Sequence, residues 1–241
     1  MTTLHLPPTC FVAFVDETGH EWLRDKKHPV YGLGGCGVLA RDLTAHIEDP
    51  WRRVRRVVSG NEDKALHAAA LRSPTPVQIA AIAGFFQESS FCRFAAVCND
   101  RTLFPDGFPP VRAVAGCLKQ SIVDVARWTI FTEIAVVFEH ASRTTRLLEQ
   151  EFGDFAVEEG GSKIPIECFV MPKAAGQPAL EVADFVMHAV GRQARHRARD
   201  GGGFLPDFAA TFHHTNPRQL SFIEISHVVE GESTREDGLN Q

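Results

Sequence analysis

Hydrophobic and polar positions along the chain predict strands and helices in alternation. Short apolar runs bounded by polar or turn-forming residues indicate buried strands, and apolar positions that recur every three or four residues indicate helices. Strands are predicted over residues 11–17, 30–40, 91–99, 133–139 and 165–172. Helices are predicted over residues 43–58, 75–89, 111–129, 142–155 and 179–199.

The first two strands are expected to pair as a hairpin, because the second is short, apolar and rich in glycine. A hairpin followed by strands that alternate with helices predicts an α/β domain, with a mixed sheet covered by flanking helices. Ribonuclease H-like folds and other α/β sheets share this order. One domain is expected over residues 8–214, and residues 215–241 are expected to form a polar, poorly ordered tail.

Composition limits the classes of protein to which the chain can belong. Its 241 residues are 44% hydrophobic, which is enough for a sizeable core, and the net charge of −5 argues against a generic polyanion-binding surface. Six cysteines are scattered without a CxxC pair, which indicates a reduced compartment. Because neither a signal peptide nor an apolar run of membrane-spanning length is visible, a soluble, cytoplasmic protein without a membrane partner is expected.

Arginine is concentrated in two segments, residues 51–58 and residues 191–199. Each cluster can be the solvated face of a helix, and this interpretation is favoured. The alternative is a rim that contacts the backbone of nucleic acid. The sequence does not indicate the oligomeric state.

Acidic residues follow two of the predicted strands. Asp16 and Glu17 end the first strand, and Glu139 ends the strand over 133–139. Ligands of α/β sheets tend to bind outside the carboxyl ends of the strands. An unpaired buried carboxylate is costly, so acids at such strand ends indicate a shared functional site.

The last predicted helix adds Glu181 and Asp184, which lie three residues apart on one face, with His188 four residues later. The helix acids can instead pair with nearby arginines, and that interpretation is slightly favoured for either acid alone. The candidates for this pairing are Arg143, Arg192 and Arg195.

Carboxylates from separate segments are the ligands that Mg²⁺ and Mn²⁺ prefer. Asp16, Glu139 and Asp184 are the predicted ligands, with Glu181 as a further ligand or as a base that orients water. Glu17 joins them only if the strand has already ended, since adjacent strand side chains point to opposite faces.

Four segments, in order, resemble the domain-of-unknown-function 3800 family: DETG (16–19), KALHAAALR (64–72), VVFEHASR (136–143) and ALEVADFVMHAVGR (179–192). The resemblance extends over residues 11–195. It implies a ribonuclease H-like fold with an acidic metal site, but it supplies no substrate. The family's DESG-like motif falls on residues 16–19, its central acid on Glu139, and its LQLAD-like motif on residues 180–184.

The chain departs from the family pattern where Glu-Leu-His is usual, because it has Ala65, Leu66 and His67. If the family's glutamate binds metal, this chain lacks that ligand at this position. The alternatives are that Glu62, Asp63 or His67 replaces it, or that the site binds one metal or none. His67 has an equally acceptable structural interpretation, as a helix-cap or core histidine.

Residues 32–37 match the GxGxxG dinucleotide fingerprint, but they lie inside a predicted strand. A true fingerprint follows a strand and opens a helix. Glycines within a strand instead indicate close backbone approach, so a nicotinamide-dependent enzyme is the least favoured hypothesis.

The leading hypothesis is therefore a metal-dependent nuclease, or a related phosphoryl-transfer enzyme, that acts on nucleic acid and uses Mg²⁺ or Mn²⁺. His188 and His67 are candidates for proton transfer. His67 and the arginines at 143, 192 and 195 are candidates for substrate binding. The alternative is a non-catalytic nucleic-acid-binding or protein-interaction module whose acidic site is degenerate, as Ala65 suggests.

Overall fold

The computed structural model describes residues 5–25, 29–88, 90–141, 144–153, 156–159, 162–172, 175–212 and 216–226. Seven strands form one sheet, in the order β5-β6-β4-β1-β2-β3-β7. Their bounds are β1 (Cys10–Gly19), β2 (Tyr31–Leu39), β3 (Cys92–Cys98), β4 (Glu133–Glu139), β5 (Ala156–Glu159), β6 (Ser162–Met171) and β7 (Leu220–Glu224).

The sheet is mixed, as the sequence predicts. β2 pairs antiparallel with both β1 and β3, and β5 pairs antiparallel with β6. β1, β4 and β6 are parallel to one another, and β7 is parallel to β3. The predicted hairpin of β1 and β2 and the α/β class are therefore confirmed.

Helices cover both faces of the sheet. One face carries α5, which packs on β1, β2 and β3 and contacts α1 and α6, while α3 packs on the other face with α4. The helix bounds are α1 (Asp49–Ser59), α2 (Pro76–Glu88), α3 (Pro110–Ala126), α4 (Thr145–Phe152), α5 (Pro178–Asp200) and α6 (Pro206–Thr211).

α5 approaches the sheet closely because small residues lie at the contact. A Cβ atom at Gly35 would lie 2.9 Å from the Cβ of Ala183 and 2.0 Å from the carbonyl oxygen of Phe14. A Cβ atom at Gly191 would lie 2.2 Å from Oγ1 of Thr18. These glycines therefore fix the position of α5 above the carboxyl end of β1.

Three elements are absent from the sequence prediction: β5, β7 and α6. The prediction of a poorly ordered tail over residues 215–241 is wrong in part, because residues 220–224 form β7, which pairs with β3. Its side chains are only half-buried and its partner is more than a hundred residues away, so local pattern did not reveal it. Residues 213–215 and 227–241 lie outside the described part of the chain.

The cysteines contribute to packing. All six are free, and Cys10, Cys36, Cys92 and Cys98 are buried. Burial raises the pKa of Cys92 to about 12, and it raises that of Cys36 as well. Neutral, buried thiols of this kind are poor nucleophiles.

No helix within the described ranges combines the length and apolar character needed to span a bilayer.

Candidate functional site

Two of the predicted acids are neighbours on adjacent strands. Asp16 follows Val15, whose register partner on the parallel strand β4 is Phe138, and Glu139 follows Phe138. Phe14 and Val137 belong to the core cluster that contains the buried residues of α5. Because strand side chains alternate between faces, Asp16 and Glu139 both point toward α5.

The third acid comes from α5. Asp184 follows Ala183, the residue that packs against Gly35 of β2. Asp16, Glu139 and Asp184 together line one cavity of about 130 Å³, to which Glu181, Ala65 and His67 also contribute. We call this space the acid cavity. The predicted convergence of three segments on one place is therefore a feature of the structure.

The charges in the acid cavity act on one another. Burial, together with the negative charges of Asp184, Glu139 and Glu17, raises the pKa of Asp16 to about 7. Asp16 consequently holds a proton over much of the range in which an ordinary aspartate is ionised. A cation or a proton is needed to relieve this repulsion.

Glu181 has a structural role that differs from the predicted role of ligand or base. Its Oε2 accepts hydrogen bonds from Trp51 Nε1 at 2.9 Å, Arg55 Nε at 3.0 Å and the Leu66 backbone N–H at 3.0 Å. Its Oε1 accepts from Arg55 Nη2 at 2.5 Å. Both oxygens are engaged inside the protein, which favours the alternative that Glu181 pairs with an arginine, here Arg55, although the residue also lines the acid cavity.

That arginine, Arg55, is the residue that sequence reasoning missed. It belongs to the first arginine cluster, which was expected to be solvated, yet its side chain is only 5% exposed. It also donates to the backbone carbonyl oxygens of Glu62 and Gly176. The one available signal was its spacing from Trp51, which places both residues on one face of a helix.

The segment over residues 65–68 is fixed to α5 by two backbone donors. The N–H of Leu66 binds Glu181, and the N–H of Ala68 binds Asp184 Oδ2 at 2.8 Å. His67 lies between them with its Nδ1 3.9 Å from the same Asp184 oxygen, and its side chain is 45% exposed. His67 therefore stands at the mouth of the acid cavity and is not a core histidine. It occupies the N-cap position of the short 3-10 helix Ala68–Ala70, but its side chain makes no capping hydrogen bond.

Glu17 lies on the other face of the sheet. β1 continues to Gly19, so the strand has not ended at Glu17. Glu17 lines a second small cavity, of about 130 Å³, which it shares with Asp16, Glu139 and Thr144. Glu17 therefore points away from α5 but adjoins the acid cavity through Asp16 and Glu139. Its place among the metal ligands stays a prediction, and its charge contributes to the raised pKa of Asp16.

His188 and Arg192 also lie away from the acid cavity. Both line a different, mostly apolar cavity, where Arg192 donates to Asp207 Oδ2 at 2.8 Å. Burial lowers the pKa of His188, and the charge of Asp184 partly opposes this effect. Arg195 is half-buried and is not among the residues that line the acid cavity, while Arg143 lies outside the described residues.

Several arginines of the two clusters are already paired with carboxylates. Besides Arg55, these pairs are Arg52 with Asp49, Arg56 with Glu62, Arg192 with Asp207, Arg197 with Glu224 and Arg199 with Asp200. Exposed pairs of this type contribute little to stability. They do reduce the positive charge that the clusters can offer to phosphates.

The glycine-rich segment over residues 32–37 forms the middle of β2, and both of its edges pair with other strands. It does not open a helix. The close contacts of Gly35 with Phe14 and Ala183 explain the small residues there. The structure thus agrees with the interpretation as close backbone approach.

Asp16, Glu139 and Asp184 offer carboxylate oxygens to the acid cavity, and these are the ligands that a hard cation prefers. Burial and, after it, the neighbouring charges of Asp184, Glu139 and Glu17 raise the pKa of Asp16. Among the described residues, no three histidine, cysteine or acidic side chains are arranged to enclose one ion as they stand. Sharing an ion therefore requires the side chains of Asp16, Glu139 and Asp184 to rotate toward one another.

Comparison of the chain with family models, with curated proteins and with solved structures found no match.

Proposed function

We propose that the protein is a metal-dependent nuclease, or a related phosphoryl-transfer enzyme, that acts on nucleic acid at the acid cavity. The observation that carries the proposal is the convergence of Asp16, Glu139 and Asp184 on one cavity from two strand ends and a helix. Gathering buried like charges costs free energy. Such clusters are characteristic of functional sites, where the strain serves ligand binding.

The topology supports a ribonuclease H-like assignment within this proposal. The antiparallel hairpin of β1 and β2 comes first, and the later strands β4 and β6 add in parallel on the β1 side. Asp16 and Glu139 lie at the carboxyl ends of β1 and β4. They lie beneath α5, the helix that follows β6 along the chain. This is where the family resemblance places its acidic motifs.

Asp16, Glu139 and Asp184 would hold Mg²⁺ or Mn²⁺ at this position. When bound, the ion would activate water and stabilise the leaving oxygen of a phosphodiester. Without the ion, Asp16 would exchange a proton near neutral pH, since its pKa is then about 7, so the ion and the proton would compete for this carboxylate. The exposed imidazole of His67, held 3.9 Å from Asp184, would transfer a proton at the mouth or bind a substrate phosphate.

A second candidate function rests on Ala65. This residue lines the acid cavity, at the place where the resemblance expects a glutamate. With one carboxylate fewer, the site fits a non-catalytic module that binds nucleic acid or protein. Under this alternative the three remaining acids bind metal weakly and support no turnover.

Mn²⁺ titration of matched variants tests the proposal. Glu139→Gln is expected to weaken Mn²⁺ binding about tenfold or more, because it removes a ligand from the cavity. Glu133→Gln is the control, since it makes the same substitution at the other end of the same strand. Its affinity is expected to stay within about twofold of the wild type. Calorimetry gives the affinities, and labelled single- and double-stranded DNA and RNA give cleavage rates.

Equal Mn²⁺ affinities for Glu139→Gln and the wild type would contradict the site assignment. Saturable Mn²⁺ binding without cleavage of any nucleic acid would favour the non-catalytic candidate. Cleavage that disappears in Glu139→Gln but persists in Glu133→Gln would support the enzyme.

Restoring an acid at position 65 tests whether the site is incomplete. Ala65→Glu is expected to tighten Mn²⁺ binding about tenfold, because it adds a carboxylate that no arginine neutralises to Asp16, Glu139 and Asp184 in the same cavity. Ala69→Glu is the matched control, since Ala69 is exposed on the same segment and does not line the acid cavity. Unchanged affinity in Ala65→Glu would show that the missing glutamate is not what limits metal binding.

A further inference from the structure

A second cavity, of about 420 Å³, lies between α2, α5 and α6. Its wall is largely apolar and includes Leu71, Ile82, Phe86 and Phe185. We call this space the apolar cavity. Its volume falls within the range of about 300–1,000 Å³ that is typical of small-molecule sites.

The apolar cavity leaves hydrophobic surface uncovered. Ile79, which lines it, has 53% of its surface exposed, and Leu71 and Ile82 are only half-buried. Uncovered aliphatic surface is unfavourable in water. An apolar ligand seated here would bury it.

One end of the apolar cavity is polar but has no net charge. Arg192 and Asp207 neutralise each other through a 2.8 Å hydrogen bond. Burial lowers the pKa of His188, so its imidazole is uncharged at neutral pH. Asp207 Oδ1 is buried and has no hydrogen-bond partner among the residues that the structure describes. A buried acceptor without a donor is uncommon in folded proteins.

We propose that the apolar cavity binds a small, uncharged molecule with an aromatic or aliphatic body and one N–H or O–H donor. The hydrophobic wall fits the body, and the His188 and Asp207 end fits the donor. A nucleotide or another phosphate fits poorly, because the one arginine in the wall is already paired with Asp207. The cavity is also too small to take more than one or two side chains of a folded partner.

The apolar cavity is separate from the acid cavity but adjoins it. Ala68 lines the apolar cavity, and its backbone N–H donates to Asp184 of the acid cavity. The proposed ligand site uses none of the three acids. It therefore stands even if the nuclease proposal fails.

Fluorescence titration with N-phenylnaphthylamine tests the proposal on the full chain. This probe is an uncharged aromatic amine with a single N–H donor, and it becomes bright when it leaves water. Saturable binding with a Kd on the order of 1–50 µM is expected for the wild type. Ala83→Trp, which fills the cavity from α2, is expected to weaken binding about tenfold or more.

Ala81→Trp is the matched control, because Ala81 belongs to the same helix but lines a different cavity beside α1. Its affinity is expected to stay within about twofold of the wild type. Ala210→Trp fills the same cavity from α6 and replaces Ala83→Trp if that variant does not fold.

Three outcomes would overturn the proposal. The first is a wild type that binds no probe, and the second is loss of binding in Ala81→Trp rather than in Ala83→Trp. The third is tighter binding of the anionic anilinonaphthalene sulfonate than of the neutral probe. Sedimentation adds a fourth test. A wild-type dimer that binds probe only after dissociation would mean that a second copy of the chain covers the cavity.

Discussion

Without added metal, the wild-type protein is expected to lose stability as the pH rises, and Asp16→Asn is expected to lose much less. The folded-state pKa of Asp16 is about 7, well above its ordinary value of 3.8. The folded protein therefore binds this proton more tightly than the unfolded chain does. The stabilisation is complete below the ordinary pKa and disappears as the pH rises through about 7.

The difference between the two proteins isolates this effect. At pH 8, Asp16→Asn is expected to be more stable than the wild type by on the order of 2–4 kcal/mol, and the two should be similar near pH 4. Urea unfolding in EDTA at a series of pH values measures the difference. Asp106→Asn, which changes an exposed loop residue, is the control and should follow the wild type.

Urea unfolding of the same two proteins in Mn²⁺ gives a further comparison. If the ion relieves the repulsion around Asp16, saturating Mn²⁺ should raise the stability of the wild type at pH 8 and leave Asp16→Asn little changed. Parallel stability curves for the two proteins in EDTA would show that Asp16 titrates as an ordinary aspartate. That result would remove the electrostatic argument for the site.

Glu181→Ala is expected to cost about 3–5 kcal/mol of folding free energy, because it leaves a buried guanidinium without its counter-charge. The side chains of Arg55 and Glu181 are only 5% and 7% exposed. The same substitution removes the acceptor of Trp51 and of the Leu66 backbone N–H. Denaturant unfolding, with the m value checked for two-state behaviour, gives the change.

Glu62→Ala is the matched control for this prediction, since it removes the partner of the neighbouring arginine, Arg56, at an exposed position. Its cost should be about 0–1 kcal/mol. The double variant Arg55→Met/Glu181→Met should be less destabilised than Glu181→Ala, because it removes both charges together. A loss below about 1 kcal/mol for Glu181→Ala would contradict the buried ion pair.

Several helices and strands were predictable because their signals are local. The apolar run of β1 and the glycine-rich run of β2 predicted the hairpin that the structure contains. The start of α2 is also determined locally. The backbone N–H of Thr75 donates to Gln78 Oε1 at 2.8 Å, and the backbone N–H of Gln78 donates to Thr75 Oγ1 at 3.4 Å. Threonine at the N-cap followed by proline at the first helical position, as at Thr75 and Pro76, is the sequence signal of such a start.

The candidate site was predictable in part. Strand alternation predicted that Asp16 and Glu17 point to opposite faces if the strand continues, and β1 does continue past both. The helical spacing that places Glu181, Asp184 and His188 on one face could not say what each side chain meets. Glu181 meets Arg55, Asp184 lines the acid cavity, and His188 lines the apolar cavity.

By itself, the sequence determined the α/β class, the alternation of the five predicted strands with the five predicted helices and the acids at the ends of β1 and β4, because these follow from hydrophobic pattern and chain direction. Only the tertiary structure decided which acids act on one another, as Asp184 and Glu139 act on Asp16, and which acid is neutralised by an arginine, as Glu181 is. Arg55 and Glu181 lie 126 residues apart, and Ala68 and Asp184 lie 116 apart. Burial and pairing over such separations depend on how α5 packs on the sheet, which no local pattern encodes.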